Sequence, residues 1–238
     1  MIITAIMVDG AFYRKRAAAL FGDKSPKERA DELVEYCRRH IEKNNAKEDD
    51  KQLYRIFYYD CPPSEKVVYH PLSQKNLNLK ATALHKWTND FYTELKKKRK
   101  VALRMGELLE SSTGYQLKPD ILKKLCKGTI SMADLTERDF TLDIKQKGVD
   151  MKIGLDISSL AYKRFVNQIV LIAGDSDFVP AAKHARREGI DFILDPLWHD
   201  IKPSLHEHID GLKSRTPNPN NPNNKDNLCK GKLTTQTP

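Results

Sequence analysis

Short apolar runs alternate with amphipathic stretches along most of this chain. The runs rich in β-branched and aromatic residues predict strands. These runs cover residues 2–8, 52–60, 101–108, 168–173 and 190–194. The first ends at Asp9-Gly10 and the second at Cys61-Pro62-Pro63, both of which are typical turn sequences. The run at 168–173 is the clearest buried strand.

Helices are predicted between these strands. Ser25 followed by Pro26 and Glu28 forms a capping box, which predicts a helix from about residue 26 to 43. Apolar residues at helical spacing predict further helices. These cover the segment after Asp9 and residues 81–98, 119–127, 149–165 and 176–188. Apart from the helix at 119–127, residues 109–146 show no clear pattern.

Alternating strands and helices predict an α/β fold with a mainly parallel central sheet flanked by helices. The length of 238 residues suits one elaborated domain, which we place at residues 1–212 with a variable insertion around 61–146. Residues 213–238 contain a run of Pro and Asn from Thr216 onward and offer little to bury. They are predicted to be a disordered tail.

Composition narrows the class of protein. Hydrophobic residues make up 39% and charged residues 31% of the chain, and the mean hydropathy is −0.60, as expected for a soluble globular protein. No apolar run approaches the 18 or so residues that span a bilayer, so we expect no membrane association. Residues 1–8 lack a basic region in front of them, which argues against a signal peptide. With four scattered cysteines, a cytoplasmic protein with reduced thiols is the expectation.

The charge of the chain favours a polyanionic partner. A formal net charge of +9 and a pI near 9.2 are typical of nucleic-acid-binding proteins, although they do not prove binding. The basic run at residues 96–100 fits a solvated helix end or a nucleic-acid patch. Trp87, Phe91 and Tyr92 fit a core stripe or a platform for bases.

Acidic residues stand where two predicted strands end. Asp9 follows the first strand, and Asp175 and Asp177 follow the strand at 168–173. Asp150 stands at the start of a predicted helix. If the two strands are neighbours at the centre of the sheet, all four carboxylates converge, because ligands of open α/β sheets bind beyond the carboxyl ends of the strands. Taken singly, Asp9 fits a turn residue and Asp177 a helix N-cap equally well.

A carboxylate cluster of this kind predicts a divalent metal site. Mg²⁺ and Mn²⁺ prefer oxygen ligands and relieve the repulsion between the carboxylates. A metal with bound water suits phosphodiester hydrolysis, in which Asp9, Asp150, Asp175 and Asp177 would be both metal ligands and catalytic residues. Arg14, Lys147 and Lys152 are the candidates for binding the phosphates of a nucleic acid.

Five motifs in order resemble the NYN-domain proteins of the PIN-like nuclease superfamily. The motifs are Val8-Asp9-Gly10-Ala11-Phe12-Tyr13, Tyr59-Asp60-Cys61-Pro62, Leu103-Arg104-Met105-Gly106, Lys147-Gly148-Val149-Asp150 with Asp156, and Gly174-Asp175-Ser176-Asp177-Phe178. The resemblance covers about residues 1–196. It implies a Rossmann-like PIN fold, a metal-dependent nuclease acting mostly on RNA, and acidic metal-site roles for the same four aspartates.

One position departs from the family pattern and keeps other functions open. Many relatives have Asn where this chain has Phe12, so a polar ligand or water-positioning group is missing. The alternatives are a nucleic-acid-binding module that lost turnover and a small-molecule phosphohydrolase. Expected partners are RNA or single-stranded DNA, and the sequence leaves a homo-oligomer open. Asp156 stands six positions after Asp150, about 240° around a helix. It is expected to contact metal ligands at most and not to bind the metal itself.

Overall fold

A computed structural model describes residues 1–42 and 49–219. The strands in this part of the chain are β1 (Ile2–Asp9), β2 (Lys51–Asp60), β3 (Val67–Tyr69), β4 (Asn76–Asn78), β5 (Val101–Met105), β6 (Glu107–Leu108), β7 (Gly114–Leu117), β8 (Phe140–Asp143), β9 (Gln146–Lys147), β10 (Gln168–Ile172), β11 (Asp191–Asp195) and β12 (Gly211–Leu212). The α-helices are α1 (Gly10–Phe21), α2 (Pro26–Arg39), α3 (Ala83–Lys96), α4 (Pro119–Cys126), α5 (Val149–Tyr162), α6 (Val179–Arg187) and α7 (Pro203–His206).

The central sheet has six parallel strands in the order β12-β11-β10-β1-β2-β5. β1 therefore lies between β10 and β2, with Val8 opposite Ile172 and Asp9 opposite Tyr59. The predicted α/β class and parallel sheet are confirmed. The two strands that carry the acidic residues at their ends are neighbours, as the convergence of the carboxylates requires.

Both faces of the sheet are covered, which is why its central strands read as continuous apolar runs. Successive side chains of a strand point to opposite faces. Ala5 and Met7 face a core layer built with α5 and α6, whereas Ile6 and Val8 face a layer built with α1, α2 and α3. Phe91 and Tyr92 are buried in the second layer, and Trp87 is half-buried beside them. The aromatic stripe of α3 is thus mainly core.

Residues 61–146 combine parts of the main fold with small additions. α3 packs on the sheet, and β5 is its edge strand. The additions are three antiparallel pairs, β3 with β4, β6 with β9, and β7 with β8. These pairs have two to four residues per strand, too short for periodicity to reveal them.

Most predicted boundaries are close to the observed ones, and the larger differences have local causes. The predicted strand 101–108 is split into β5 and β6 at Gly106, whose amide donates to the Asp60 carbonyl at 2.7 Å. A side chain at Gly106 would lie 2.7 Å from the Lys147 carbonyl oxygen, so the chain must turn here with glycine. The predicted helix 176–188 begins as a 3-10 turn, Ser176–Phe178, before α6.

The predicted tail, 213–238, begins in residues that still contact the fold. Ser214 donates to the buried Asp195 carboxylate at 2.7 Å, and the Trp198 indole donates to the Thr216 carbonyl at 2.9 Å. The chain therefore remains attached to the sheet through Thr216. Residues 220–238 lie outside the described residues. Within the described ranges, no helix is long and apolar enough to cross a membrane.

Candidate active site

Asp9 is held at the junction of β1 and α1. Its side chain accepts a hydrogen bond from the Phe12 amide at 3.1 Å, so it is the N-cap of α1. The next residue must be glycine, because a Cβ at Gly10 would lie 2.6 Å from Asp60 Oδ2 and from the Tyr59 carbonyl oxygen. Asp9, for which the sequence suggested a turn residue, is thus a helix cap, and this role orients its carboxylate at the carboxyl edge of the sheet.

The other three acidic candidates come from two further segments. Asp150 lies exposed in the first turn of α5. Asp175 and Asp177 lie exposed in the loop that follows β10, where Asp175 accepts from the Asp177 amide at 3.1 Å. Asp177 is not the N-cap of α6, a position occupied by Phe178.

Electrostatic coupling indicates that these segments lie near one another. Burial raises the pKa of Asp9 to about 6, and repulsion by Asp150 adds to the rise. The hydrogen bonds from the Phe12 and Ala11 amides lower the pKa and so oppose this rise. The pKa of Asp150 is also raised, by desolvation first and then by Asp175 and Asp177. Asp150 thus couples to Asp9 on one side and to Asp175 and Asp177 on the other. We call these four carboxylates, which lie at the end of β1, at the start of α5 and in the loop after β10, the acid cluster.

The donor chemistry of the acid cluster fits a hard divalent cation. All four side chains offer carboxylate oxygens, which hard divalent cations prefer. The pKa values of Asp9 and Asp150 are raised, by desolvation first and by neighbouring carboxylates as well. Within residues 1–42 and 49–219, however, no group of three or more His, Cys, Asp and Glu side chains is arranged to hold a metal ion. Mg²⁺ commonly takes one or two carboxylates and keeps several waters, so a water-rich site agrees with this arrangement.

Phe12 connects the two halves of the acid cluster. A Cβ on Gly174 would lie 2.5 Å from Phe12 Cε2, so the ring rests directly on the glycine before Asp175. The Phe12 and His199 rings are 6.1 Å apart. The ring that replaces the polar residue of many relatives therefore packs the α1 start against the loop after β10.

Arg14 lies beside the acid cluster but is already paired. Its guanidinium forms an ion pair with Asp60, whose side chain is fully buried at the end of β2. It also donates to the Tyr58 hydroxyl at 3.2 Å and the Tyr92 hydroxyl at 3.4 Å. Because 25% of the Arg14 side chain remains exposed, its role as a phosphate ligand stays a prediction. The sequence analysis gave no role to Asp60, although it stands in one of the five motifs.

Three other cations stand near the acid cluster in sequence or in space. Lys147 in β9 and Lys152 in α5 are exposed near Asp150 in sequence. Lys202, which sequence analysis missed, donates to the Ser176 hydroxyl at 3.1 Å and so lies beside the Asp175 loop. Nothing in its local sequence marks it, because only the folded chain brings it to this loop.

Asp156 supports the site from behind. It accepts from the Tyr59 hydroxyl at 2.8 Å and from Arg104 Nε at 3.0 Å. These contacts tie α5 to β2 and to β5. Its predicted position behind the ligands agrees with these contacts, which stabilise the helix that carries Asp150.

A groove runs from the end of β2 past Arg14. One part has a volume of about 540 Å³ and includes basic residues and an apolar wall. Its lining includes Lys15, Lys24, Arg29, Leu84 and Trp87. A second part of about 210 Å³ shares Arg14 and Leu84 with the first and reaches Cys61 and Gln146. A larger cleft of about 820 Å³ lies at the start of β11, at the opposite edge of the sheet.

The comparison with family models covers the last three of the five motifs, and the motifs at residues 8–13 and 59–62 lie outside the matched range. The model of the NYN domain family matches residues 75–197, about half of the chain. No curated protein matches. Among solved structures, a protein of unknown function from Vibrio parahaemolyticus is 12% identical, with a TM-score of 0.43 and coverage of 91% of this chain and 94% of that one. A maltogenic α-amylase from Thermotoga neapolitana is 10% identical, with a TM-score of 0.22 and coverage of 89% of this chain and 48% of that one.

Proposed function

Because the chain belongs to the NYN domain family, we propose that it is a metal-dependent nuclease that hydrolyses phosphodiester bonds, most of all in RNA. The observation that carries the proposal is the acid cluster. Carboxylates from three separate segments, Asp9, Asp150 and the pair Asp175 and Asp177, share one electrostatic environment at the ends of two central strands. Ligands of parallel α/β sheets bind at this edge.

The proposed metal is Mg²⁺ or Mn²⁺, held by Asp9, Asp150, Asp175 and Asp177 directly or through water. When bound, the ion supplies a water of lowered pKa and polarises a phosphoryl oxygen. The carboxylates of the chain would hold the ion in place, and its positive charge would offset their repulsion of the reacting phosphate. The hydrogen bond from the Phe12 amide orients Asp9, and the Asp177 amide orients Asp175.

Cations of the chain position the substrate backbone. Lys147 and Lys152 are exposed and stand within three residues of Asp150 in sequence, and Arg14 lines the groove. Ammonium and guanidinium groups bind phosphates without reading sequence, which suits a substrate held by its backbone. The groove beside Arg14 offers an apolar wall at Leu84 and Trp87 where an unpaired base could lie.

Cleavage of labelled single-stranded RNA tests the proposal. The parent chain should cut RNA in Mn²⁺ or Mg²⁺ and stop when EDTA is added. Asp175→Asn should lower the cleavage rate by at least about 100-fold, because it removes charge where the metal is held. Asp120→Asn, in the exposed first turn of α4, is the matched control and should cut like the parent.

A second readout is independent of turnover. Mn²⁺ should raise the melting temperature of the parent and of Asp120→Asn, because a ligand that binds only the folded state stabilises it. It should not raise that of Asp175→Asn. Cleavage by Asp175→Asn at the rate of the parent would contradict the proposed mechanism.

One observation favours a second function, nucleic-acid binding without turnover. The Phe12 ring occupies the surface of Gly174 where many relatives carry a polar residue, and no closed set of three metal-ligating side chains is formed in the described residues. Under this alternative, RNA is retarded but uncut with and without EDTA. Phe12→Asn then separates two cases. If Phe12 blocks an otherwise active site, the variant should cleave RNA; if the chain is a binding module, the variant should still leave RNA uncut.

A further inference from the structure

Helix α5 is apolar on two opposite sides. Its inner side, which includes Ile153, Ile157 and Leu160, is buried against the sheet. On its outer side Met151 is 70% exposed, Leu155 is 63% exposed and Tyr162 is 76% exposed. A surface helix normally has one apolar stripe and a polar opposite face, and a helix that is apolar all round is normally covered all round.

The outer apolar residues of α5 lie on one side of the helix, with Ser158 and Ser159 between Leu155 and Tyr162. Met151, Leu155 and Tyr162 recur at spacings of four and seven, which places them within a narrow sector of the helix. Phe165, 47% exposed, follows three residues after the end of α5. Its ring stacks on Tyr54 of β2, with 6.3 Å between centroids and 19° between planes. We call Tyr54, Met151, Leu155, Tyr162 and Phe165 the outer α5 patch.

The size of the outer α5 patch suits a second copy of this chain. Its five side chains expose about 600 Å², at the upper limit of what monomers leave uncovered. A standard interface buries about 800 Å² on each partner, with an apolar centre and a polar rim. The outer α5 patch supplies such a centre. Ser159, Lys152 and Lys163 lie exposed around it as a rim.

We propose that two copies of the chain associate through their α5 helices, packed antiparallel about a two-fold axis near Ser158. An isologous interface must be complementary to itself. The outer α5 patch meets this condition, because its two aliphatic residues precede Ser158 and its aromatic residues on the same segment follow it. Antiparallel packing sets Leu155 against Tyr162 of the other copy and Met151 against Phe165, a sulfur–aromatic contact.

The same packing predicts the salt dependence of the dimer. Lys152 and Lys163 lie on one flank of the outer α5 patch, and antiparallel pairing brings Lys152 near Lys163 of the second copy. Added NaCl screens this repulsion. Dimerisation should therefore tighten as NaCl is raised to about 0.5 M, whereas binding of RNA to any surface weakens.

Sedimentation velocity over about 1–100 μM protein tests the proposal. The full chain should shift from monomer to dimer with concentration, and Leu155→Lys or Tyr162→Lys should raise the dissociation constant at least about 10-fold. Met132→Lys and Leu122→Lys are matched controls on exposed apolar residues elsewhere, with exposures of 72% and 51%. They should dimerise like the parent.

A crosslink tests the position of the axis. Ser158→Cys, in a background with Cys126 and Cys229 replaced by serine, should form a disulfide-linked dimer on mild oxidation, and Ser111→Cys should not. A parent chain that stays monomeric over the whole range would overturn the proposal. Equal dissociation constants for the α5 variants and the control variants would overturn it too. The same holds if the protein is monomeric and the α5 variants weaken its binding to RNA.

Discussion

At the scale of single residues, the carboxylate of Asp9 has both a structural role and a proposed chemical role. Asp9 caps α1 through the Phe12 amide, yet its burial beside Asp150 makes its negative charge unfavourable in the metal-free protein. Capping needs only a side-chain oxygen, and an amide supplies one equally well. The carboxylate at position 9 is therefore not explained by helix stability, and its negative charge is the property that a cation would need.

This conflict predicts a pH dependence for the metal-free protein. The folded-state pKa of Asp9 is about 6 against an ordinary value of 3.8, so the folded state binds the proton more tightly and loses stability as pH rises through about 4 to 6. Asp9→Asn keeps the cap and removes the charge. It should raise the free energy of unfolding at pH 7 by about 1–3 kcal/mol and leave it unchanged near pH 4.

Urea unfolding of EDTA-treated protein at the two pH values measures this difference. Asp120→Asn, on the surface of α4, should change the free energy of unfolding by less than about 0.5 kcal/mol at either pH. An Asp9→Asn variant that is less stable than the parent at pH 7 would show that the carboxylate stabilises the fold.

Gly10 gives a second prediction at this scale. A Cβ there meets Asp60 Oδ2, Tyr58 Cζ and the Tyr59 carbonyl at 2.6 Å, two of them in buried side chains. Gly10→Ala should lower the free energy of unfolding by about 1–3 kcal/mol, which is measured as a fall in the melting temperature. Gly154→Ala is the control, because α5 leaves open space around Gly154, and it should stabilise the chain by about 0.5–1 kcal/mol. Equal effects of the two changes would show that the β1–α1 junction can relax.

At the scale of elements, the sequence predicts best where a segment is both regular and covered. The capping box of α2 and the apolar run of β10 are present as predicted. The pairs β3 with β4 and β7 with β8 were missed, because their side chains pack on each other locally and show no long period. The acid cluster was inferred from the carboxylates at the end of β1 and in the loop after β10, whereas Lys202 reaches that loop only through the fold.

The ion pair between α1 and β2 provides a prediction about elements. Asp60 is fully buried, and Arg14 neutralises it while keeping a quarter of its side chain exposed. Arg14→Met should destabilise the chain by about 3 kcal/mol, because it leaves a buried carboxylate without its partner. Lys86→Met, which breaks a surface pair with Asp90 on α3, should cost less than about 0.5 kcal/mol. Similar losses in the two variants, measured by chemical unfolding, would place Asp60 in contact with water.

At the scale of the whole molecule, the net charge of +9 and the acid cluster act on different parts of a substrate. The carboxylates repel a phosphate backbone, so binding depends on cations that lie close by. Lys147 and Lys152 are the exposed candidates beside Asp150, whereas Arg14 is already paired with Asp60. A general basic surface and a local phosphate contact predict different salt behaviour, and this difference can be measured.

Binding of EDTA-treated protein to single-stranded RNA should weaken with NaCl, with a slope in log K against log salt of about 0.7 for each phosphate contact. Replacing both Lys147 and Lys152 by alanine should make the slope shallower by about 1.4, since two contacts are lost. Lys123 and Lys127, exposed on and just beyond α4, are the matched pair, and their replacement should leave the slope unchanged. If both double variants reduced the slope equally, RNA would be held by the overall charge of the molecule. The acid cluster would then have no local phosphate ligands at these two lysines.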